Sequence, residues 1–195
     1  MKRLSRDNRG FTLVELAIVL VIIGIILGAV LKGQELINNA KTKRAFNQYR
    51  EVLAAIYTYY DKYGFFPGDD PNATSRWTGT TNGDKDGLID VGGSFSCTSN
   101  ATEDCAIWEH LRLAGIISGS SYNNPTNAFG GSIRVGYVNV QGLAANWIGF
   151  DNIPYDICES IDRQYDDGVY NTGTIRGSGN YNSATSGVYD LYFKL

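Results

Sequence analysis

The segment TNGDKDGLID, which begins at residue 81, has side chains whose types and spacing suit a divalent cation. Three oxygen-bearing side chains alternate along it and a glycine follows, the spacing that turns oxygens toward one hard cation in an EF-hand loop. Oxygen donors without histidine or cysteine favour Ca²⁺ over a transition metal. The predicted calcium ligands are Asn82, Asp84, Asp86, the backbone carbonyl of Leu88, and Asp90.

The twelfth position of this loop differs from an EF-hand. Gly93 stands where the bidentate Glu is required, and no helices of the EF-hand type are predicted on either side. The last ligand must therefore come from elsewhere in the chain, or the segment is only an acidic turn. A second acidic cluster, at Asp162, Asp166 and Asp167, is interpreted as a capped turn rather than a cation site.

The chain contains three cysteines, Cys97, Cys105 and Cys158. In an exported domain Cys97 and Cys105 would form the natural disulfide around a short loop, leaving Cys158 over. Pairing of Cys158 with either of the others is also possible, and the sequence alone cannot choose among the three connectivities.

Catalytic chemistry has little support in the sequence. His110 is the only histidine, and no nucleophile motif such as GxSxG accompanies it. We therefore predict that the protein is not an enzyme.

The apolar segment after residue 10 organises the rest of the chain. From Phe11 to Leu31 every residue is apolar except Thr12 and Glu15. A helix of this length reaches about 30 Å, enough to span the hydrocarbon core of a bilayer. Because a carboxylate in a membrane helix is unfavourable unless it is paired, Glu15 is predicted to have a functional partner.

The basic leader, the Gly10-Phe11 junction, the acid four residues later and the unbroken apolar helix together resemble the N-terminus of type IV prepilins and type II secretion pseudopilins. The resemblance implies that a prepilin peptidase cleaves after Gly10 and methylates Phe11. It also implies that Glu15 pairs with the N-terminal amine of a neighbouring subunit during assembly, which makes two buried charges tolerable. The implied partners are homologous subunits, the peptidase, membrane lipid and an inner-membrane assembly platform.

The resemblance also predicts location. The precursor is expected in the inner membrane with a cytoplasmic N-terminus, and the assembled filament in the periplasm or at the cell surface. A Sec signal peptide is disfavoured because LGAVLKGQ is a poor cleavage site, and an uncleaved signal anchor is the other alternative. The mature chain would carry a charge of −6, since the leader contributes +3 to the net −3, so no nucleic-acid partner is expected.

Helical periodicity continues beyond the apolar segment. No Pro or Gly occurs between Gly33 and Gly64, and large apolar residues recur at steps of three and four. One helix from Phe11 to Tyr63 is therefore predicted, ended by Gly64. Gly24 and Gly28 lie within this helix. They indicate either close packing against another helix or a local weakening of the helix itself. The predicted apolar stripe comprises Phe46, Tyr49, Leu53, Ile56, Tyr60 and Tyr63.

The remaining chain predicts a small mixed domain. Alternating segments at 132–141, 144–150 and 187–195 indicate strands, and 105–115 and 154–165 indicate helices. We predict an α+β, pilin-like fold with a long N-terminal helix packed on a small, mainly antiparallel sheet. Its predicted parts are a leader (1–10), a transmembrane and assembly helix (11–35) and a globular head (36–195) that includes the amphipathic helix half 36–63.

The function predicted from these features is structural. The chain would be a subunit of a type IV pilus or of a type II secretion pseudopilus, polymerised through its N-terminal helix. The competing hypothesis is a membrane-anchored binding or catalytic module that uses the same export signal.

Overall fold

The computed structural model describes residues 12–90 and 92–195. Gly10 and Phe11, the predicted cleavage and methylation positions, lie outside the described residues. The elements are α1 (Leu13–Tyr63), α2 (Ala73–Arg76), α3 (Glu103–Leu113), β1 (Ile133–Val140), β2 (Leu143–Pro154), α4 (Tyr155–Tyr165), β3 (Ile175–Gly177), a 3₁₀ turn (Tyr181–Ser183) and β4 (Val188–Lys194).

The chain divides into two compact units, one up to Ala40 and one comprising Lys41–Leu195, which we call the head unit. Up to Ala40 the helix α1 is solvent-exposed along almost its whole surface, including its large apolar side chains. Among the described residues, α1 is the one helix long and apolar enough to cross a membrane. A side chain added at Gly24 or Gly28 would meet no neighbouring atom within 4 Å.

In the head unit, α1 buries a face that differs in part from the predicted stripe. Ile56 is buried as expected, but Tyr60 is 42% exposed and the neighbouring Tyr59 is buried instead. The placement of Tyr60 in the stripe was therefore wrong. Ala45 and Ala55 belong to the buried face, so a periodicity read from large side chains alone rotates the stripe by about one position.

The C-terminal end of α1 is as predicted. Gly64 adopts a left-handed conformation with φ of +80°, and its N–H donates to the carbonyl of Tyr60 at 2.7 Å. Glycine is favoured at this position because it has no Cβ to clash.

The four strands form one antiparallel sheet in the order β1-β2-β4-β3. The hairpin of β1 and β2 pairs Ile133 with Phe150, and β2 pairs Ile148 with Phe193 of β4. The structure confirms the strands predicted at 132–141, 144–150 and 187–195, although β2 continues to Pro154. It adds β3, which the sequence analysis missed.

One face of the sheet forms the main core with α1, α3 and α4. Tyr49 of α1 stacks on Phe193 with ring centroids 4.3 Å apart, and Phe46 stacks on Tyr165 at 3.5 Å. Trp108 of α3 and Cys158 of α4 are buried in the same core. The molecule therefore has the α+β, pilin-like architecture: a long N-terminal apolar helix followed by a small antiparallel four-stranded sheet.

Candidate functional site

The start of α1 places Glu15 in a reciprocal cap with Thr12. The backbone N–H and the hydroxyl of Thr12 donate to Glu15 Oε2 at 2.8 and 2.9 Å, and the Glu15 N–H donates to Thr12 Oγ1 at 3.2 Å. This is a capping box, in which the N-cap hydroxyl and the third helical residue satisfy each other's exposed donors. The sequence contains the Thr-x-x-Glu signature of this cap, although Glu15 was predicted only to pair with a neighbouring subunit.

Two of the predicted calcium ligands, Asp84 and Asp86, lie close together, and a residue that their spacing did not reveal joins them. Asp69, in the turn after α1, contributes a carboxylate oxygen that lies within 4.8 Å of one oxygen from each of the other two. Asp84 and Asp86 are exposed, whereas Asp69 is buried. Local spacing could not reveal Asp69, because it reaches the loop through tertiary contact.

The two carboxylate oxygens of Asp69 are in different environments. Oδ2 accepts a hydrogen bond from the N–H of Gly87 at 3.0 Å. Oδ1 is buried and has no hydrogen-bond partner among the described residues. Burial, together with the negative charges of Asp86 and Asp84, raises the pKa of the Asp69 carboxyl group above its usual range.

Side chains from two other elements hold the loop in place. The carboxylate of Glu103, in the first turn of α3, accepts from the N–H groups of Asp84 and Asp90 at 2.9 and 3.0 Å. Asn146 of β2 donates to the carbonyl of Gly87 and accepts from the N–H of Ile89, both at 3.0 Å. The loop that carries Asp84 and Asp86 is therefore fixed on both sides of the acidic group.

The structure describes the surroundings of two other predicted calcium ligands, Asn82 and Asp90. The side-chain oxygen of Asn82 accepts from the N–H of Thr74 at 2.9 Å. The carboxylate of Asp90 does not belong to the group formed by Asp69, Asp84 and Asp86. Burial and the nearby negative charges of Asp86 and Asp84 raise the pKa of the Asp90 carboxyl group. The carbonyl of Leu88 stays a prediction.

The turn that presents Asp69 is itself buried and braced. Asp70 is fully buried and accepts from the hydroxyl of Tyr59 at 2.6 Å and from the N–H of Asn72 at 2.8 Å. It also forms an ion pair with Arg76. These contacts fix the backbone next to Asp69 against the end of α1.

His110 of α3 connects the turn after α1 to the start of the acidic loop. Its Nδ1 accepts from the N–H of Gly68 at 2.9 Å, and its Nε2 lies 2.9 Å from the carbonyl of Thr81, which requires the neutral ring with a proton on Nε2. Burial is the largest cause that lowers the pKa of His110 from 6.5 to about 4. Both ring nitrogens therefore bind backbone groups and support the turn.

The carboxylates of the second acidic cluster accept hydrogen bonds from neighbouring groups. Asp162 accepts from the hydroxyl of Tyr181 at 2.5 Å and from the N–H of Gly168 at 3.2 Å. Asp166 accepts from two backbone N–H groups near β3, and Asp167 accepts from a threonine hydroxyl at 2.6 Å. These contacts agree with the capped turn predicted from the sequence.

The cysteines pair as the sequence favoured. Cys97 and Cys105 form a disulfide that joins the loop to the first turn of α3, and Cys158 is a buried free thiol. The structure thus selects one of the three connectivities that the sequence left open.

Comparison with known proteins supports the N-terminal assignment. Residues 5–31 match the family model for the prokaryotic N-terminal methylation motif. The chain is also 36% identical over 81 residues to the fimbrial protein EcpC of Eikenella corrodens, an alignment that covers 41% of this chain and 52% of that protein. The chain thus spans about half the length of this curated relative. The motif match confirms the resemblance found at Gly10, Phe11 and Glu15.

Proposed function

We propose that this chain is a structural subunit of a type IV pilus or of a type II secretion pseudopilus, polymerised through its N-terminal helix. The observation that carries the proposal is the methylation motif at residues 5–31, which continues into a helix with exposed apolar side chains. The pilin-like α+β architecture and the similarity to a fimbrial protein agree with it.

The exposed helix requires an apolar environment. Leu13 is 86% exposed, and Leu20, Ile25 and Leu31 are each 68% exposed. Burying one such side chain contributes roughly 1.5–3 kcal/mol, so the whole segment favours a bilayer or a helical bundle by tens of kcal/mol. We infer that lipid covers this surface in the precursor and that neighbouring subunits cover it in the filament.

Glu15 would then direct assembly. Its carboxylate is prearranged at the helix start by Thr12, and both hydrogen bonds from Thr12 reach the same oxygen, Oε2. An ammonium group on a neighbouring subunit would compensate the remaining negative charge. We propose that this ammonium is the N-terminus of mature Phe11, exposed after cleavage at Gly10.

The proposed pathway follows from that processing. The precursor inserts in the inner membrane with its N-terminus in the cytoplasm, and a prepilin peptidase cleaves after Gly10 and methylates Phe11. An inner-membrane assembly platform then transfers the subunit into the polymer, with the head unit outside the helical core.

Mass spectrometry of the chain from peptidase-competent cells tests this proposal. A mature protein that starts at N-methylated Phe11 is expected. An intact Met1 terminus would contradict the proposal and favour the alternative of a membrane-anchored binding or catalytic module.

A second experiment isolates assembly from processing. In Glu15→Ala cells we expect normal insertion and cleavage but loss of the chain from purified filaments, with Glu35→Ala as the control for a carboxylate on the same helix. Normal incorporation of Glu15→Ala would refute the pairing role. The stoichiometry of the chain in native filaments distinguishes a major from a minor subunit.

A further inference from the structure

We propose that Asp69, Asp84 and Asp86 bind one Ca²⁺ ion that fastens the acidic loop to the turn after α1. The site lies within the head unit and concerns its stability, so it is independent of how the N-terminal helix is processed or assembled. It extends the cation site predicted from the loop spacing, because Asp69 supplies a ligand from outside the loop.

The distances suit calcium. The three carboxylate oxygens lie within 4.8 Å of one another. Calcium binds oxygen at about 2.3–2.6 Å, so two ligands on opposite sides of the ion are separated by up to about 5 Å. An ion placed among the three oxygens would therefore lie near calcium–oxygen distance from each of Asp69, Asp84 and Asp86.

The unpaired oxygen of Asp69 distinguishes this group from an ordinary acidic turn. Asp69 is only 3% exposed, and its Oδ1 has no hydrogen-bond partner in the described part of the chain. A buried polar oxygen without a partner is unfavourable, and a bound cation would satisfy it. In the second acidic cluster the buried Asp162 accepts hydrogen bonds at both of its oxygens, so no ligand is required there.

The charge of the group also favours a cation. Three carboxylates repel one another at these separations, and the Glu103 carboxylate lies next to the backbone of Asp84. Lys85, between the two loop aspartates, points its ammonium group toward the ring of Phe65 at 5.4 Å. A divalent ion would replace the repulsion among Asp69, Asp84 and Asp86 with attraction.

The type of ligand atom and the contacts that hold the loop backbone both indicate which ion the site would bind. All three donors are carboxylate oxygens, which suit calcium and magnesium better than a transition metal. Magnesium requires near-ideal octahedral geometry at about 2.0–2.1 Å, whereas calcium accepts irregular sets at longer distances. Glu103 and Asn146 already hold the loop backbone, so binding does not have to order it.

Calcium titration of the full chain in detergent tests the proposal. The melting temperature is measured by tryptophan fluorescence in EDTA and in CaCl₂ up to about 10 mM, which covers the Kd range of about 10⁻⁴–10⁻³ M for extracellular calcium sites. A ten- to hundredfold excess of Ca²⁺ over Kd is expected to raise the melting temperature by about 3–10 °C. The same concentration of MgCl₂ is expected to produce a much smaller rise.

Matched variants assign the effect to the site. Asp84→Asn and Asp86→Asn keep the size of exposed side chains and are expected to abolish most of the calcium response. Asp167→Asn, in the second acidic cluster, is expected to retain it. Asp69→Asn changes a buried residue, so its calcium response is interpreted only together with the two loop variants.

Three results would overturn the proposal. The first is a wild-type melting temperature that is the same in EDTA and in 10 mM CaCl₂. The second is a calcium response that survives in both Asp84→Asn and Asp86→Asn. The third is an equal response to magnesium, which would contradict the calcium selectivity inferred from the ligand geometry. Each concerns the isolated chain and leaves the filament proposal untouched.

Discussion

The single histidine provides a pH probe for the region between α1 and α3. Protonation of His110 would add a proton at Nδ1, the atom that accepts a hydrogen bond from the N–H of Gly68 in the folded protein. It would also create a charge in a fully buried site near Arg76. The folded state therefore resists protonation, while the unfolded chain does not.

The magnitude follows from the two pKa values. Burial holds the pKa of His110 at about 4, against 6.5 for the free side chain. Below pH 6.5 the unfolded chain binds the proton and the folded chain does not, so stability falls as the pH decreases toward 4. The His110 contribution is fully present above pH 6.5, and we expect it to decline by about 2 kcal/mol at pH 5 and about 3 kcal/mol at pH 4.

The assay compares wild type with His110→Asn by chemical denaturation between pH 8 and pH 4, at constant ionic strength and in EDTA. The Asn side chain keeps an acceptor near the position of Nδ1 but does not titrate. Acidic groups titrate in both proteins, so the difference between the two free energies of unfolding isolates the histidine. A difference that stays constant across this pH range would refute the reasoning.

Two further predictions concern contacts described above. Gly83→Ala would place a Cβ against the backbone atoms of Asp69 at less than contact distance, so the free energy of unfolding should fall by about 1–3 kcal/mol. The control is Gly33→Ala, whose Cβ would meet no atom within 4 Å. Equal melting temperatures for the two variants would contradict the close approach. Thr12→Val removes the hydroxyl that exchanges hydrogen bonds with Glu15, and a loss of about 1 kcal/mol should raise amide exchange in the first turn of α1 about fivefold. Thr12→Ser should behave like wild type, and identical exchange in both variants would refute the capping role.

The parts of the fold that depend on local signals could be predicted from the sequence. Gly64 marks the end of α1 because its left-handed conformation is a local property. Alternation predicted β1, β2 and β4, but β3 has only three residues, Ile175–Gly177, too few to show a period. The error at Tyr60 arose because small residues on the buried face carry no periodic signal of their own.

The candidate site divides in the same way. The spacing of Asp84 and Asp86 is local and was visible in the sequence. Asp69 joins them through tertiary contact: Gly83 packs directly against the backbone of Asp69, an approach that no spacing rule contains. Asn146 is more distant still, since it lies on β2, 59 residues along the chain from Gly87.

The burial of Cys158 has a consequence for oxidative folding. Closing the short loop between Cys97 and Cys105, eight residues apart, is favoured by about 1.7 kcal/mol of chain entropy over either long-range pairing. In the folded protein the sulfur of Cys158, on α4, is enclosed in the core. Burial raises the pKa of this thiol far above neutrality, so little nucleophilic thiolate forms. In the oxidising compartment that the proposed function implies, the folded core thus protects the correct bond from thiol–disulfide exchange.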